Sequence, residues 1–171
     1  MNIFYLDPHP AVAARQCCDK HVVKMILESA QMLSTAHRVI DKNNNELLYK
    51  EAHKNHPSTK WVRESHLNYQ WLYAHFVALG EEYTARYGKV HMSITKLKSL
   101  LSSPPRNIPQ KLFTPPPQCM PDIYKRKCSV CGNDGTIDAY RAYYMGEKSS
   151  FAVWKEPATA PKWWKETKFT L

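Results

Sequence analysis

Apolar positions in the first quarter of the chain recur at helical spacing. Val22, Met25, Ile26, Ser29, Leu33 and Ala36 form one buried stripe, and the helix they predict ends near Ile40, before the polar run DKNNNE. Ahead of it, IFYL at 3–6 is apolar but too short for an independent strand, so it reads as a segment tucked into the fold. Pro10 suits a first helical turn, with His9 or Asp7 near the cap. A second helical stretch is expected over Glu46–Lys54, stopped by NHP because a residue before proline avoids helical geometry. In PSTKWVRESHLNYQWLYAHFVALGEEYTARYG, Ser58 and Thr59 are candidate caps and Gly88 a candidate end. Leu72, Phe76, Leu79 and Tyr83 share its apolar face. A shorter helix is expected over Ser93–Leu101. Seven of the twelve prolines lie between Pro104 and Pro121, an extended connection. TIDAYRAYYMGEKSS reads as a final helix capped by Thr136 or Asp134, and the tail carries too many tryptophans to hang loose. The expected fold is all-α: a compact single domain over 1–171 with a long N-terminal helix, a Pro-rich connection and an aromatic C-terminal tail.

Composition adds a partner. Lys plus Arg number 24 against 15 Asp plus Glu, a formal charge of +9. Such a surface replaces counterions on a polyanion, and nucleic acid is the natural one. No run of about 18 apolar residues exists to cross a membrane. The opening residues also lack a signal peptide's basic and apolar regions, so a cytoplasmic location and reduced thiols are expected. Cys128 and Cys131 form one CxxC, which with Cys119 and a distant histidine would complete four zinc ligands; a tight loop of buried thiols is the preferred reading, with no metal. Five glycines give little support to a nucleotide-binding loop, and no cofactor is expected.

Two stretches carry candidate chemistry. In DKHVVKMILES, His21 and Glu28 lie seven residues apart, almost two turns, and so point in nearly the same direction. Glu28 falls at the edge of the apolar stripe, near Met25 and Met32. It is either a solvated helix charge or a sheltered acid suited to proton transfer. In the tail, Trp163 and Trp164 sit between Lys162 and Lys165. That interleaving offers stacking faces beside phosphate contacts, or else anchors the tail on the core.

Read in order, these pieces resemble the pyrimidine dimer DNA glycosylases of the phage endonuclease V type. The colinear elements are MNIF, DKHVVKMILE, HPSTKWVRESHLNYQWLYAHF, EEYTARYGK, MPDIY and PKWWK. The resemblance implies a monomeric all-α enzyme acting without cofactor on double-stranded DNA with a damaged or modified base. It implies that a terminal α-amine attacks the sugar C1′, forming a Schiff base, and that a helix glutamate assists. Carried onto this chain, the catalytic residues are Met1, Glu28 and His21. Met1 is expected to be retained because Asn2 is bulky for its removal. The DNA-binding residues are Lys20, Lys24, Arg38, Lys60, Arg63, His66, Lys162, Trp163, Trp164 and Lys165. The chain departs from the family at Leu27 and Gln31, where arginines are expected, and at KRKCSVCGNDG, which has no counterpart. A non-catalytic nucleic-acid-binding protein and a glycosidase for a modified base or nucleotide remain as alternatives.

Overall fold

The structure, a computed structural model, describes residues 1–127 and 135–166. Every regular element among them is helical: α1 (Pro10–Gln16), α2 (Asp19–Asp41), α3 (Pro57–Glu64), α4 (His66–Tyr87), α5 (Met92–Leu97), a 3₁₀ turn (Asp122–Tyr124), α6 (Thr136–Glu147) and α7 (Lys162–Glu166). Among the described residues no helix is long and apolar enough to cross a membrane.

Three of these helices start on a histidine. The Nδ1 atoms of His9, His56 and His91 accept the backbone N–H two residues on, at 3.3, 3.1 and 3.1 Å. Each satisfies a donor that the helix itself leaves without a partner. Pro10 and Pro57 follow directly, with φ preset for a first turn. Ser58 and Thr59 are therefore not the caps the sequence suggests; Ser58 supplies the N–H that His56 receives. The long periodic stretch is also two helices. Ser65 breaks it in an extended conformation, its hydroxyl accepting from Leu67 N and donating to Lys111 O. Gly88 closes α4 at φ 69°, the left-handed geometry that favours glycine.

The core forms where α2 crosses α4, flanked by α1 and α3. Its centre includes the N-terminal segment, with Ile3, Phe4, Tyr5 and Leu6 all buried. Phe4 stacks on the His21 ring at 4.1 Å and meets the edge of Tyr144 at 5.4 Å. The Tyr144 hydroxyl is 2.8 Å from His21 Nδ1 and accepts from Cys18 N at 2.9 Å. Trp164 packs edge-on against the same tyrosine and against Trp154, so both ends of the described chain meet at α6. Beneath α1, the buried Arg86 guanidinium donates to the carbonyls of Arg15 and Cys17 and pairs with Asp19 and Glu82. It satisfies the C-terminal carbonyls of α1 and fixes the α1–α2 junction on α4.

Residues 46–54 form no helix. Arg38 donates to the carbonyls of Asn43, Asn45, Leu48 and Tyr49, while the Ser34 and Thr35 hydroxyls accept from Tyr49 N and Ala52 N. Side chains of α2 thus take the backbone groups that a local helix would have paired internally. The next helix, α5, stops at Leu97 rather than Leu101, and tyrosine hydroxyls of α4 take the carbonyls beyond it: Tyr73 on Lys98, Tyr69 on Leu101. Helix α6 begins after Gly135 without a side-chain cap and is followed by α7. Asp134 lies outside the described residues.

Burial holds the His21 pKa down to about 3 and that of His75 to about 4, and lowers those of His37, His56 and His91. His21 and His75 are therefore neutral in the folded chain at pH values where the unfolded chain, with histidines titrating near 6.5, already binds protons, and the other three shift in the same direction. Stability is therefore full above pH 6.5 and falls as pH drops below it, until the folded-state pKa values are reached. The slope approaches about 1.4 kcal/mol per pH unit for each of His21 and His75, the two deeply buried rings. Urea midpoints should fall steadily between pH 7.5 and 5; midpoints constant over that range would contradict the histidine assignment.

Candidate active site

Glu28 stands at a boundary on α2. Lys20, Val23, Lys24 and Leu27 form the exposed stripe of the helix. Further along, Ser34, Thr35 and Arg38 continue it but are covered by the loop they organise. The Glu28 carboxylate lies between these regions with 15% of its side chain exposed, 3.7 Å from the Lys24 ammonium, and its neighbours at i−3 and i+4 on the helix, Met25 and Met32, are buried.

The chain start is held nearby by a short series of contacts. Met1 is half-buried against the core. The Asn2 amide donates to Cys119 O at 2.9 Å, while its own oxygen accepts from Ile3 N. Cys119 Sγ lies 3.4 Å from the buried Ser58 hydroxyl, and Ser58 N donates to His56. The His56 pKa is lowered first by burial, then by the positive charge of the terminal amine and by His53, whereas Glu28 raises it. Amine and carboxylate therefore both act on one imidazole. Because Nδ1 accepts in the cap, the neutral ring carries its proton on Nε2 and has a hydrogen-bond donor to offer. His53, which precedes this turn, holds a left-handed backbone at φ 45°, unusual for a residue with a side chain.

Sequence reasoning did not single out His56. Its signal was present in HPS, the same histidine before a helix-opening proline that places His9 near the cap of α1.

The other expected site residues separate into distinct environments. His21 is 5% exposed and contacts Phe4, Tyr144 and Phe151, so it supports the N-terminal segment from within the core. Arg38 directs its donors into the loop carbonyls, and Arg63 donates to Thr59 O and Lys54 O. His66 is half-buried with its Nδ1 lacking a partner. Lys20, Lys24, Lys60 and Lys162 are exposed, with Lys20 also 4.6 Å over the Phe151 ring. Trp164 is 8% exposed, an anchor in the core, while the half-buried Trp163 donates to Gln16 and lies beneath the Arg141 guanidinium. With Arg15, Gln16, Arg141 and Lys162, Trp163 lines an open groove of about 740 Å³ between α1 and the C-terminal segment. The side chain of Lys165, like Cys128 and Cys131, lies outside the described residues. Among those described, no group of three metal-ligating side chains converges.

A family model described as pyrimidine dimer DNA glycosylase matches residues 1–96, more than half of the 171-residue chain. The match spans Met1, His21, Glu28 and His56 and ends within α5. No curated protein and no solved structure gives a significant match.

His56→Ala should lower stability by about 1 kcal/mol through loss of the cap, and His56→Asn, a strong capping residue, should restore most of it. Equal losses in the two variants, read from urea midpoints at pH 7.5, would show that the ring rather than its acceptor holds α3.

Proposed function

The chain belongs to the pyrimidine dimer DNA glycosylase family, and on that premise we propose that it excises a damaged or modified base from duplex DNA and then cuts the strand. The α-amine of Met1 is the nucleophile. Its lone pair bonds to C1′ as the glycosidic bond breaks; the electron pair leaves with the base, which takes up a proton. Opening of the sugar ring, with the ring oxygen protonated, gives the Schiff base. Its positive nitrogen acidifies C2′, a base removes that proton, and the C3′–O bond breaks with the electron pair leaving on the phosphate.

Glu28 is the group for these proton transfers. Its carboxylate stabilises the developing positive charge and accepts the C2′ proton from a half-sheltered position. What supports the pairing is the His56 ring, on which the terminal amine and Glu28 both act while the cap fixes its tautomer. His56 offers its Nε2–H to a sugar or phosphate oxygen, and His21 positions the amine indirectly, through Phe4. Lys20, Lys24 and Lys60, with Lys162 near the groove, supply phosphate contacts to a monomer on DNA.

Borohydride should fix a covalent adduct between this protein and dimer-containing or abasic DNA. Glu28→Gln should reduce cleavage at least about a hundredfold, the usual scale for a removed acid–base group, and leave DNA affinity within about twofold. A non-catalytic DNA-binding protein on this scaffold would give no adduct and no response to the substitution, and that result would refute the proposal.

A further inference from the structure

We propose that Lys20 and Lys148, each seated over an aromatic ring, form a docking surface for the phosphate backbone of DNA at the start of α2. The inference rests on the reading of DNA as the partner and requires neither Met1 nor Glu28 as a catalyst. Lys148 directly follows α6 and lies well beyond residue 96, where the family match ends.

Both ammoniums are held in place. That of Lys148 lies 4.7 Å over the Tyr143 ring, 6.0 Å over Phe4 and 3.4 Å from the Tyr143 hydroxyl. That of Lys20 lies 4.6 Å over Phe151. A ring's negative face attracts an ammonium and so narrows the freedom of a long side chain. The rings are themselves fixed, since Phe4 stacks on His21 at 4.1 Å and Phe151 meets it edge-on at 5.7 Å. Two cations from distant parts of the chain are thus mounted on one aromatic cluster.

Their charge is left uncompensated. Among the described residues neither ammonium pairs with a carboxylate, and Glu147, the residue before Lys148, accepts from the Tyr124 hydroxyl instead. After burial, the ammoniums of Lys148, Lys24 and Lys20 lower the His21 pKa, and no acidic group among the described residues raises it. Like charges gathered in this way repel one another in the free protein, and an anion relieves them.

The arrangement identifies that anion. Lys20, Lys24 and Glu28 follow one another at one-turn steps on α2, so the cations form a line leading to the candidate active site. A line suits an extended polyanion whose phosphates release counterions as they are met. Ammoniums already seated on rings also lose less freedom on binding than mobile ones.

The test measures equilibrium binding of the full-length protein to an undamaged, fluorescein-labelled duplex as salt is varied. Lys148→Met keeps a long stem and removes the charge, Lys148→Arg keeps the charge, and Lys96→Met removes an exposed charge from α5. The slope of log K against log salt should shrink by about 0.9 in Lys148→Met, the loss of one phosphate contact. It should keep its wild-type value in Lys148→Arg and Lys96→Met. Lys20→Met should repeat the loss and supplies the reading if melting curves show Lys148→Met unfolded. An unchanged slope in Lys148→Met, an equal loss in Lys96→Met or an equal loss in Lys148→Arg would overturn the proposal. Tighter binding of polyglutamate than of the duplex would assign the surface to an acidic protein and overturn it as well. A wild type that binds no duplex at all would instead refute the reading of DNA as the partner.

Discussion

Residues 3–6 must lie in the core in one fixed place, and the rest of the molecule is arranged around that constraint. A chain terminus is ordinarily among the most mobile parts of a protein. Here Phe4 is held between the His21 ring of α2 and Tyr143 and Tyr144 of α6, and Tyr144 also receives the Cys18 N–H at the start of α2. Burial keeps His21 uncharged, as does the Lys148 ammonium, which lies 6.0 Å over the Phe4 ring. The same tyrosine receives Trp164 from the tail. One aromatic cluster thus joins the N-terminal segment, the longest helix and the C-terminal helix, which makes an α-amine of defined position physically attainable.

Helix α2 serves as both wall and surface. Its inner face crosses α4, its outer face begins wet and basic, and its last three turns are roofed by the loop that Arg38, Ser34 and Thr35 organise. Glu28 lies where the roof begins, which explains a carboxylate neither buried nor free. The loop then delivers His56 to the head of α3, where the ring caps the helix and feels the charge of Glu28. Cys119 ties Asn2 to the same turn through Ser58, although it comes from the last residues of the Pro-rich connection.

The sequence made legible what is set locally. The period of α2, the stop at Gly88, the buried IFYL segment and the non-helical proline run each follow from residues close in sequence. The helical pattern of residues 46–54 misleads because Arg38, which takes the Leu48 and Tyr49 carbonyls, lies 10 and 11 residues away and nothing in the segment itself reveals it. Trp163 and Trp164 were indistinguishable as neighbours in sequence, yet the helix turns one toward Gln16 and Arg141 and the other into the core. Of the site, order along the chain and family resemblance supplied Met1 and Glu28. His56 could not be reached that way, since its relation to both depends on where Cys119 and the roof loop fold.

The central claim is that the terminal amine is the nucleophile, and peptide mapping of the borohydride-fixed adduct tests it most directly. After trypsin, the reduced sugar fragment should be carried by the peptide Met1–Arg15 and localised by fragmentation to the α-nitrogen of Met1. Localisation instead to a lysine side chain, such as Lys24 beside Glu28, would contradict the account.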